Sequence, residues 1–137
     1  MERPTSRDTD ILARTLYGEA RGEPWEGIQA VACVVRNRVA DRRWPDRIAE
    51  VCLQPRQFSC WNRNDANLRA MLLADEQDAG FLRCLEAAEM AINHFVDITH
   101  GATHYLNPDV FKKLPAWFDA HKIKCRFGRH VFLAGIA

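Results

Sequence analysis

Two helical patterns joined by a glycine-rich turn organise residues 10–39, and they constrain the fold more than any other feature of the chain. Apolar positions recur with the 3.6-residue period of a helix that buries one face, first at Ile11, Leu12, Thr15 and Leu16 and then at Ile28, Val31, Ala32, Val35 and Val39. Gly18 and Gly22 interrupt the pattern, and Pro24 suits the first turn of a new helix. The sequence therefore predicts two packed helices with a short connection.

Two carboxylates, Glu19 and Glu23, lie at this predicted junction. A carboxyl group held between packed helices loses part of its hydration, which raises its pKa and lets it act as an acid near neutral pH. From the residues alone the alternative stays open: both are solvated carboxylates at a helix end, or they pair with Arg14 or Arg21.

Four separated blocks resemble the SleB/CwlJ family of bacterial cell wall hydrolases, which are spore-cortex-lytic enzymes with relatives in other bacteria and in phages. The blocks are YGEARGE followed by QAVACVVRNRV, then QPRQFSCW at residues 54–61, GATHYLNP at residues 101–108 and FGRHVF at residues 127–132. They occur in the family order and span nearly the whole chain.

This resemblance implies a lysozyme-like fold in which a catalytic glutamate ends a helix that lines a groove. The glutamate directly after YG carries that role in the family, and here it is Glu19. The implied activity is cleavage of peptidoglycan glycan strands between N-acetylmuramic acid and N-acetylglucosamine.

The chemistry favours a mechanism with one carboxylate. Hydrolysis of a glycosidic bond usually needs two carboxyl groups, and only Glu19 stands out; Glu23, Glu26 and Asp41 are candidates by proximity alone. A lytic transglycosylase needs a single group that acts first as acid and then as base, because the muramoyl C6 hydroxyl attacks within the substrate. We therefore predict lytic transglycosylation, with a hydrolytic muramidase as the alternative.

Aromatic and amide side chains in the matching blocks suit a sugar site. The predicted substrate-binding residues are Gln57, Phe58, Ser59, Trp61, Tyr105 and Asn107, and Trp117 is a further aromatic candidate. Core packing is the alternative for each ring. Tyr105 is expected to hydrogen-bond Glu19 or the leaving oxygen. Where His104 stands, the family often has an aromatic residue.

Other chemistries have weaker support in the sequence. Five histidines and five cysteines contain neither an HExxH nor a CxxC pattern, so we predict no metal site and no cofactor. A zinc amidase remains an alternative, as does a thiol peptidase that pairs Cys60 with His104 or His130. A non-catalytic glycan-binding module is the third alternative. Cys52 and Cys60 flank a loop and could form a disulfide in an oxidising compartment.

The predicted architecture is a mostly helical α+β fold, with one catalytic domain over residues 1–137 and a flexible tail at residues 1–8. We expect further helices near residues 48–52, 65–74 and 76–96, the last being the longest, and a loop over residues 57–64. A strand at residues 101–106 and a hairpin of residues 122–127 and 130–133 form a small C-terminal antiparallel element.

The charge distribution and the hydropathy of the chain limit the kinds of partner that we expect. The net charge is +1, but residues 99–137 hold six basic side chains against two acidic ones, a balance that suits an acidic polymer. The predicted partner is the glycan strand of peptidoglycan, with no nucleic acid, no membrane span and a monomeric state. The polar start, MERPTSRDTD, lacks the apolar core of a secretory signal. This predicts cytoplasmic synthesis with release as in phage lysins, or a shortened part of a longer protein.

Overall fold

The computed structural model describes residues 3–55 and 57–137. This part of the chain forms five α-helices followed by a three-stranded sheet. The helices are α1 (Ser6–Ala20), α2 (Trp25–Val39), α3 (Ile48–Leu53), α4 (Asn67–Leu73) and α5 (Ala79–Asn93), and the strands are β1 (His104–Leu106), β2 (Ile123–Phe127) and β3 (His130–Leu133). The predicted mostly helical α+β class is confirmed. None of the helices in the described ranges is long and apolar enough to cross a membrane.

Helix α1 starts earlier than predicted, inside the expected tail of residues 1–8. Thr5 caps the helix in a reciprocal arrangement, in which its hydroxyl accepts from the Asp8 backbone N–H and the Asp8 carboxylate accepts from the Thr5 backbone N–H. Asp8 Oδ1 also accepts from the Ala49 backbone N–H at 2.9 Å, which attaches α1 to α3. Residues 6–8 therefore belong to the helix, and residues 1 and 2 lie outside the described ranges.

The core forms where α1, α2 and α5 pack together. The predicted stripes of the first two helices are buried: Leu12, Leu16, Ile28, Val31 and Val35 have no exposed surface. Helix α1 continues through Gly18 to Ala20, so the expectation that Gly18 interrupts the helix is wrong. Glu19 consequently lies in the last turn of α1.

Helix α5 is shorter than the predicted range of residues 76–96, and its start is set by a capping side chain within that range. The Asp78 carboxylate accepts from the backbone N–H groups of Gly80 and Phe81, so the helix begins at Ala79 and has the same 15-residue length as α1 and α2. The Tyr17 hydroxyl donates to the same carboxylate and links α1 to this cap.

The sheet has the strand order β1-β3-β2 with antiparallel pairing, which confirms the predicted hairpin. Tyr105 lies opposite Phe132 in the register. The hairpin turns at Gly128, whose φ of 58° suits glycine. The sheet stands beside the ends of α1 and α2, and a groove separates it from the helices.

Candidate active site

A groove with a cavity volume of about 610 Å³ lies between the helices and the sheet. Its walls come from α1, α2, β1, β3, residues 57–58 and the segment after β1. The lining residues are Glu19, Arg38, Gln57, Phe58, His104, Tyr105, Leu106, Asn107, Val110, Phe111, Trp117, Arg129 and His130. Glu19 is the one carboxylate among them.

The half-buried side chain of Glu19 enters this groove from the last turn of α1. Burial raises the pKa of this carboxyl above its usual value, and hydrogen bonding from Tyr105 and from Cys60 partly opposes the rise. The Tyr105 hydroxyl donates to Glu19 Oε1 at 2.9 Å, which confirms the predicted hydrogen bond. The carboxyl is thus oriented and is easier to protonate than a solvated glutamate.

Tyr105 is held rigidly by the sheet. Its ring stacks on Phe132 with centroids 5.6 Å apart and meets the His130 ring edge-on at 5.1 Å. Burial and the neighbouring Glu19 raise the pKa of Tyr105 well above its ordinary value. The phenol therefore keeps its proton at neutral pH and serves as a hydrogen-bond donor.

Gly18 lets the turn at residues 59–61 approach α1 beside Glu19. A β-carbon at this position would lie 2.6 Å from Cys60 Cβ and 2.9 Å from Cys60 Sγ. The glycine of the YG pair therefore serves close packing, and this contact places Cys60 beside Glu19, to which it hydrogen-bonds.

Glu23 has a different environment. Its buried carboxylate accepts from the Arg129 backbone N–H at 3.0 Å and from Arg129 Nε at 2.9 Å, and His130 Nδ1 lies 3.4 Å from Oε1. Although burial acts to raise the pKa of Glu23, these bonds and charges outweigh it and the pKa is lowered. Glu23 is therefore an arginine partner outside the groove lining, but its partner is Arg129 and not the expected Arg14 or Arg21.

The comparison with family models supplies the decisive match: residues 22–133 match the model described as Cell Wall Hydrolase. The chain belongs to the cell wall hydrolase family. The matched range begins just after Glu19 and includes the other three sequence blocks.

Curated relatives and solved structures of this family agree. The chain is 34% identical over 128 residues to a spore cortex-lytic enzyme of Oceanobacillus iheyensis and 32% identical over 131 residues to one of Bacillus subtilis, covering 93% of this chain in each case. It spans 42% and 38% of those relatives, less than half their length.

The fold matches the catalytic domain of the germination-specific lytic transglycosylase SleB from Bacillus anthracis, with a TM-score of 0.76, 30% identity and coverage of 97% of this chain and 98% of that one. The catalytic domain of Bacillus cereus SleB gives a TM-score of 0.77 at 28% identity, with coverage of 97% and 94%. These matches confirm the lysozyme-like fold that the resemblance implied.

The cell wall hydrolase groove brings together most of the predicted site residues. Gln57, Phe58, Tyr105 and Asn107 line it together with Glu19. The Gln57 amide oxygen accepts from Arg38 Nη1 at 3.1 Å. The oxygen of this amide is therefore the atom that faces Arg38, and its N–H₂ group is not used in that contact.

Two predicted sugar-binding residues, Ser59 and Trp61, lie outside the groove lining. Trp61 donates its indole N–H to the buried Thr15 hydroxyl at 2.9 Å and packs against the helical core. Ser59 is exposed at the start of a short 3₁₀ turn and is not part of the lining. Phe58, which precedes them in the chain, does line the groove.

Trp117, the further aromatic candidate, lines the groove, whereas Phe111 was not among the predicted residues. Phe111 and Trp117, with 42% and 36% of their surface exposed, form an aromatic rim that faces the groove. The His104 ring lies between Trp44 and Trp117, and burial with the charges of Arg38 and Arg43 lowers the pKa of this histidine to about 4. The sequence feature that could have predicted this rim is the apolar content of residues 110–118 around Pro115.

Cys60 lies close to the candidate acid Glu19 and hydrogen-bonds to it. Burial and the adjacent Glu19 raise the pKa of this thiol, which keeps it protonated and unsuited to nucleophilic attack at neutral pH. All five cysteines carry free thiols, so Cys52 and Cys60 are not bridged. Within residues 3–55 and 57–137, no group of three histidine, cysteine or acidic side chains could hold a metal ion.

Proposed function

We propose that this chain cleaves the glycan strands of peptidoglycan between N-acetylmuramic acid and N-acetylglucosamine by lytic transglycosylation. The observation that carries the proposal is the lone carboxylate: among the described lining residues, only Glu19 is acidic, and burial raises its pKa. The fold shared with the lytic transglycosylase SleB supports the same reaction class.

Glu19 serves as acid and then as base. Its carboxyl proton passes to the glycosidic oxygen as the bond between that oxygen and C1 of the muramoyl sugar breaks. The resulting carboxylate then accepts the proton of the muramoyl C6 hydroxyl, whose oxygen bonds to C1 and closes a 1,6-anhydro ring. The proton returns to Glu19, so no water molecule is consumed and no second carboxylate is needed.

The groove residues orient the strand around this acid. Tyr105 holds Glu19 Oε1, Phe111 and Trp117 offer exposed ring faces to pyranose rings, and Gln57 and Asn107 offer amide groups to N-acetyl and hydroxyl groups. Ser59 and Trp61 play no part in this arrangement. Residues 1–137 act here as one catalytic domain on the cell wall.

The test is mass spectrometry of digested peptidoglycan together with a turbidity assay. We expect anhydro-muropeptides from the wild-type chain and a loss of activity of roughly 10²–10⁴ for Glu19→Gln, since the amide cannot transfer a proton. Glu26→Gln is the matched control, because Glu26 is an exposed glutamate outside the groove, and it should clear the suspension normally.

The products also separate the alternatives. Reducing muramic ends would replace the transglycosylase with a hydrolytic muramidase, and free stem peptides would show that the wrong bond has been assigned. Undiminished clearing by Glu19→Gln would remove Glu19 from the mechanism. Strand binding without any cleavage would favour a glycan-binding module.

Two finer expectations about partners stay predictions. We propose a monomer that binds no nucleic acid. Light scattering of the purified chain, alone and with duplex DNA, tests both.

A further inference from the structure

A buried cation, Arg38, forms part of the groove lining. It is carried by α2 and only 6% of its surface is exposed. Burial lowers the pKa of its guanidinium, yet an arginine stays charged even when it is buried.

The partners of Arg38 are all neutral. Nε donates to the Thr103 carbonyl at 2.8 Å and Nη1 donates to Gln57 Oε1 at 3.1 Å. The guanidinium also lies over the rings of Trp44 and Phe58, at 5.2 and 5.5 Å from their centroids. Within the described ranges no carboxylate forms an ion pair with it, and Nη2 has no hydrogen-bond acceptor.

A buried charge without a counter-charge is unfavourable unless a ligand supplies one. The guanidinium presents its donors in a planar fork that matches the two oxygens of a carboxylate. The groove carries a second cation, Arg129, and among its described lining residues the candidate acid Glu19 is the only acidic one. Its electrostatic field therefore favours a substrate that brings a negative charge.

We propose that Arg38 binds a carboxylate on the substituent that the muramoyl sugar carries at O3. This inference rests on the proposed function, because it takes a peptidoglycan strand as the ligand. Two sources share this chemistry: the lactyl carboxylate of a peptide-free muramoyl residue, and a carboxylate of the attached stem peptide. In either case the charge of Arg38 makes the groove selective for acidic over neutralised strands.

The competing explanation is a purely structural role, since Arg38 connects α2 to the Thr103 carbonyl and to Gln57. Loss of a structural clamp would weaken binding of charged and neutral strands by the same factor. Loss of a carboxylate ligand would weaken binding of charged strands alone. The ratio of the two affinities therefore distinguishes the roles.

The experiment measures strand binding in the Glu19→Gln background, which leaves the strand intact. Soluble peptide-free glycan strands are compared with the same strands whose carboxyls have been converted to methylamides. We expect the acidic strands to bind about tenfold more tightly or better, the range for a hydrogen bond to a charged group. Adding Arg38→Met should reduce the ratio to about one, and Arg38→Lys should retain part of it.

Arg42→Met is the matched control. It removes one exposed positive charge just after the end of α2, outside the groove lining, and should leave the ratio unchanged. The measurement is repeated on peptide-bearing strands with and without methylamide conversion. A preference seen only for peptide-free strands assigns the lactyl carboxylate, and a preference seen only for peptide-bearing strands assigns a peptide carboxylate.

Equal binding of acidic and neutralised strands by the parent chain, both with and without stem peptides, would overturn the inference without recourse to any variant. Retention of the full ratio by a folded Arg38→Met chain would overturn it as well. Failure of the proposed function is a separate result: it appears as absence of glycan cleavage by the wild-type chain, whereas the binding ratio stays measurable.

Discussion

Glu19 experiences two opposing influences that together adjust its proton affinity. Burial in the groove wall disfavours the carboxylate and raises the pKa, while Tyr105 and Cys60 hydrogen-bond to the carboxylate and lower it. A group that must first give and then take a proton needs both, because an acid that is too weak never donates and a base that is too weak never recovers the proton.

Glu19→Gln should stabilise the chain at neutral pH while it abolishes activity. The raised pKa means that folding favours the protonated form, so the contribution of Glu19 to stability is present below its unfolded pKa and is lost as the pH rises through its folded pKa. We expect a higher urea midpoint for the variant at about pH 7 and equal midpoints near pH 4. A lower midpoint for the variant at neutral pH would contradict the desolvation argument.

Tyr105→Phe should shift the pH dependence of the reaction. The phenol donates to Glu19 Oε1 and favours the carboxylate, so its removal raises the pKa of Glu19 further. The limb of the rate profile that reports Glu19 should move to higher pH, and the rate should fall about tenfold because the charged form loses a hydrogen bond. Phenylalanine keeps the ring contact with Phe132, and an unshifted limb would refute the coupling.

At the scale of elements, the site depends on a close contact between α1 and the turn at residues 59–61. A glycine in the last turns of a helix reduces its intrinsic stability by about 1 kcal/mol relative to alanine. Here the space that a β-carbon would need is already filled by Cys60, so the packing gain outweighs the helix propensity. The contact keeps Cys60 within hydrogen-bonding distance of Glu19.

Gly18→Ala should destabilise the chain by about 1–3 kcal/mol, the usual range for overpacking, although alanine is the better helix former. Gly22→Ala is the matched control: its β-carbon would meet only Arg129 Nη2 at 3.5 Å, an ordinary contact. Urea unfolding of the two variants gives the difference directly. Equal stability of both would show that the Cys60 turn yields freely.

At the scale of the whole molecule, Glu23 joins the helical part to the sheet. Its carboxylate binds both the backbone and the side chain of Arg129 at the hairpin, and a β-carbon on Gly128 would lie 2.8 Å from Pro24 Cδ. The hairpin is thereby fixed against the α1–α2 junction. Because the groove lies between these two parts, its width depends on this attachment.

Arg129→Met should lower the free energy of unfolding by about 1–3 kcal/mol at neutral pH, since the buried Glu23 carboxylate keeps the Arg129 backbone N–H but loses the exposed guanidinium. The lowered pKa of Glu23 contributes stability above its unfolded pKa that is lost as the pH falls through its folded pKa. The difference between wild type and variant should therefore shrink in acid. Unfolding curves at pH 7 and at about pH 3 test this, and a difference independent of pH would argue against the pair.

The sequence by itself determined the elements that local periodicity specifies. The stripes of α1 and α2 and the two strands of the hairpin follow from which residues recur at spacings of 3.6 or 2. Where side chains rather than periodicity set a boundary, prediction was less accurate: Thr5 begins α1 inside the expected tail, and Asp78 starts α5 at Ala79 instead of at the predicted residue 76.

Only the tertiary structure decided which residues meet across the groove. Phe58 and Trp61 are three positions apart, yet one ring lines the groove while the other binds Thr15 in the core. Arg38 is buried on the core-facing side of α2 and lines the groove. Its position in the sequence pattern would be the same if its side chain lay at the edge of the core and faced no cavity. Periodicity reports the face of an element, whereas the environment of a charge depends on residues that are distant in sequence, such as Glu23 and Arg129.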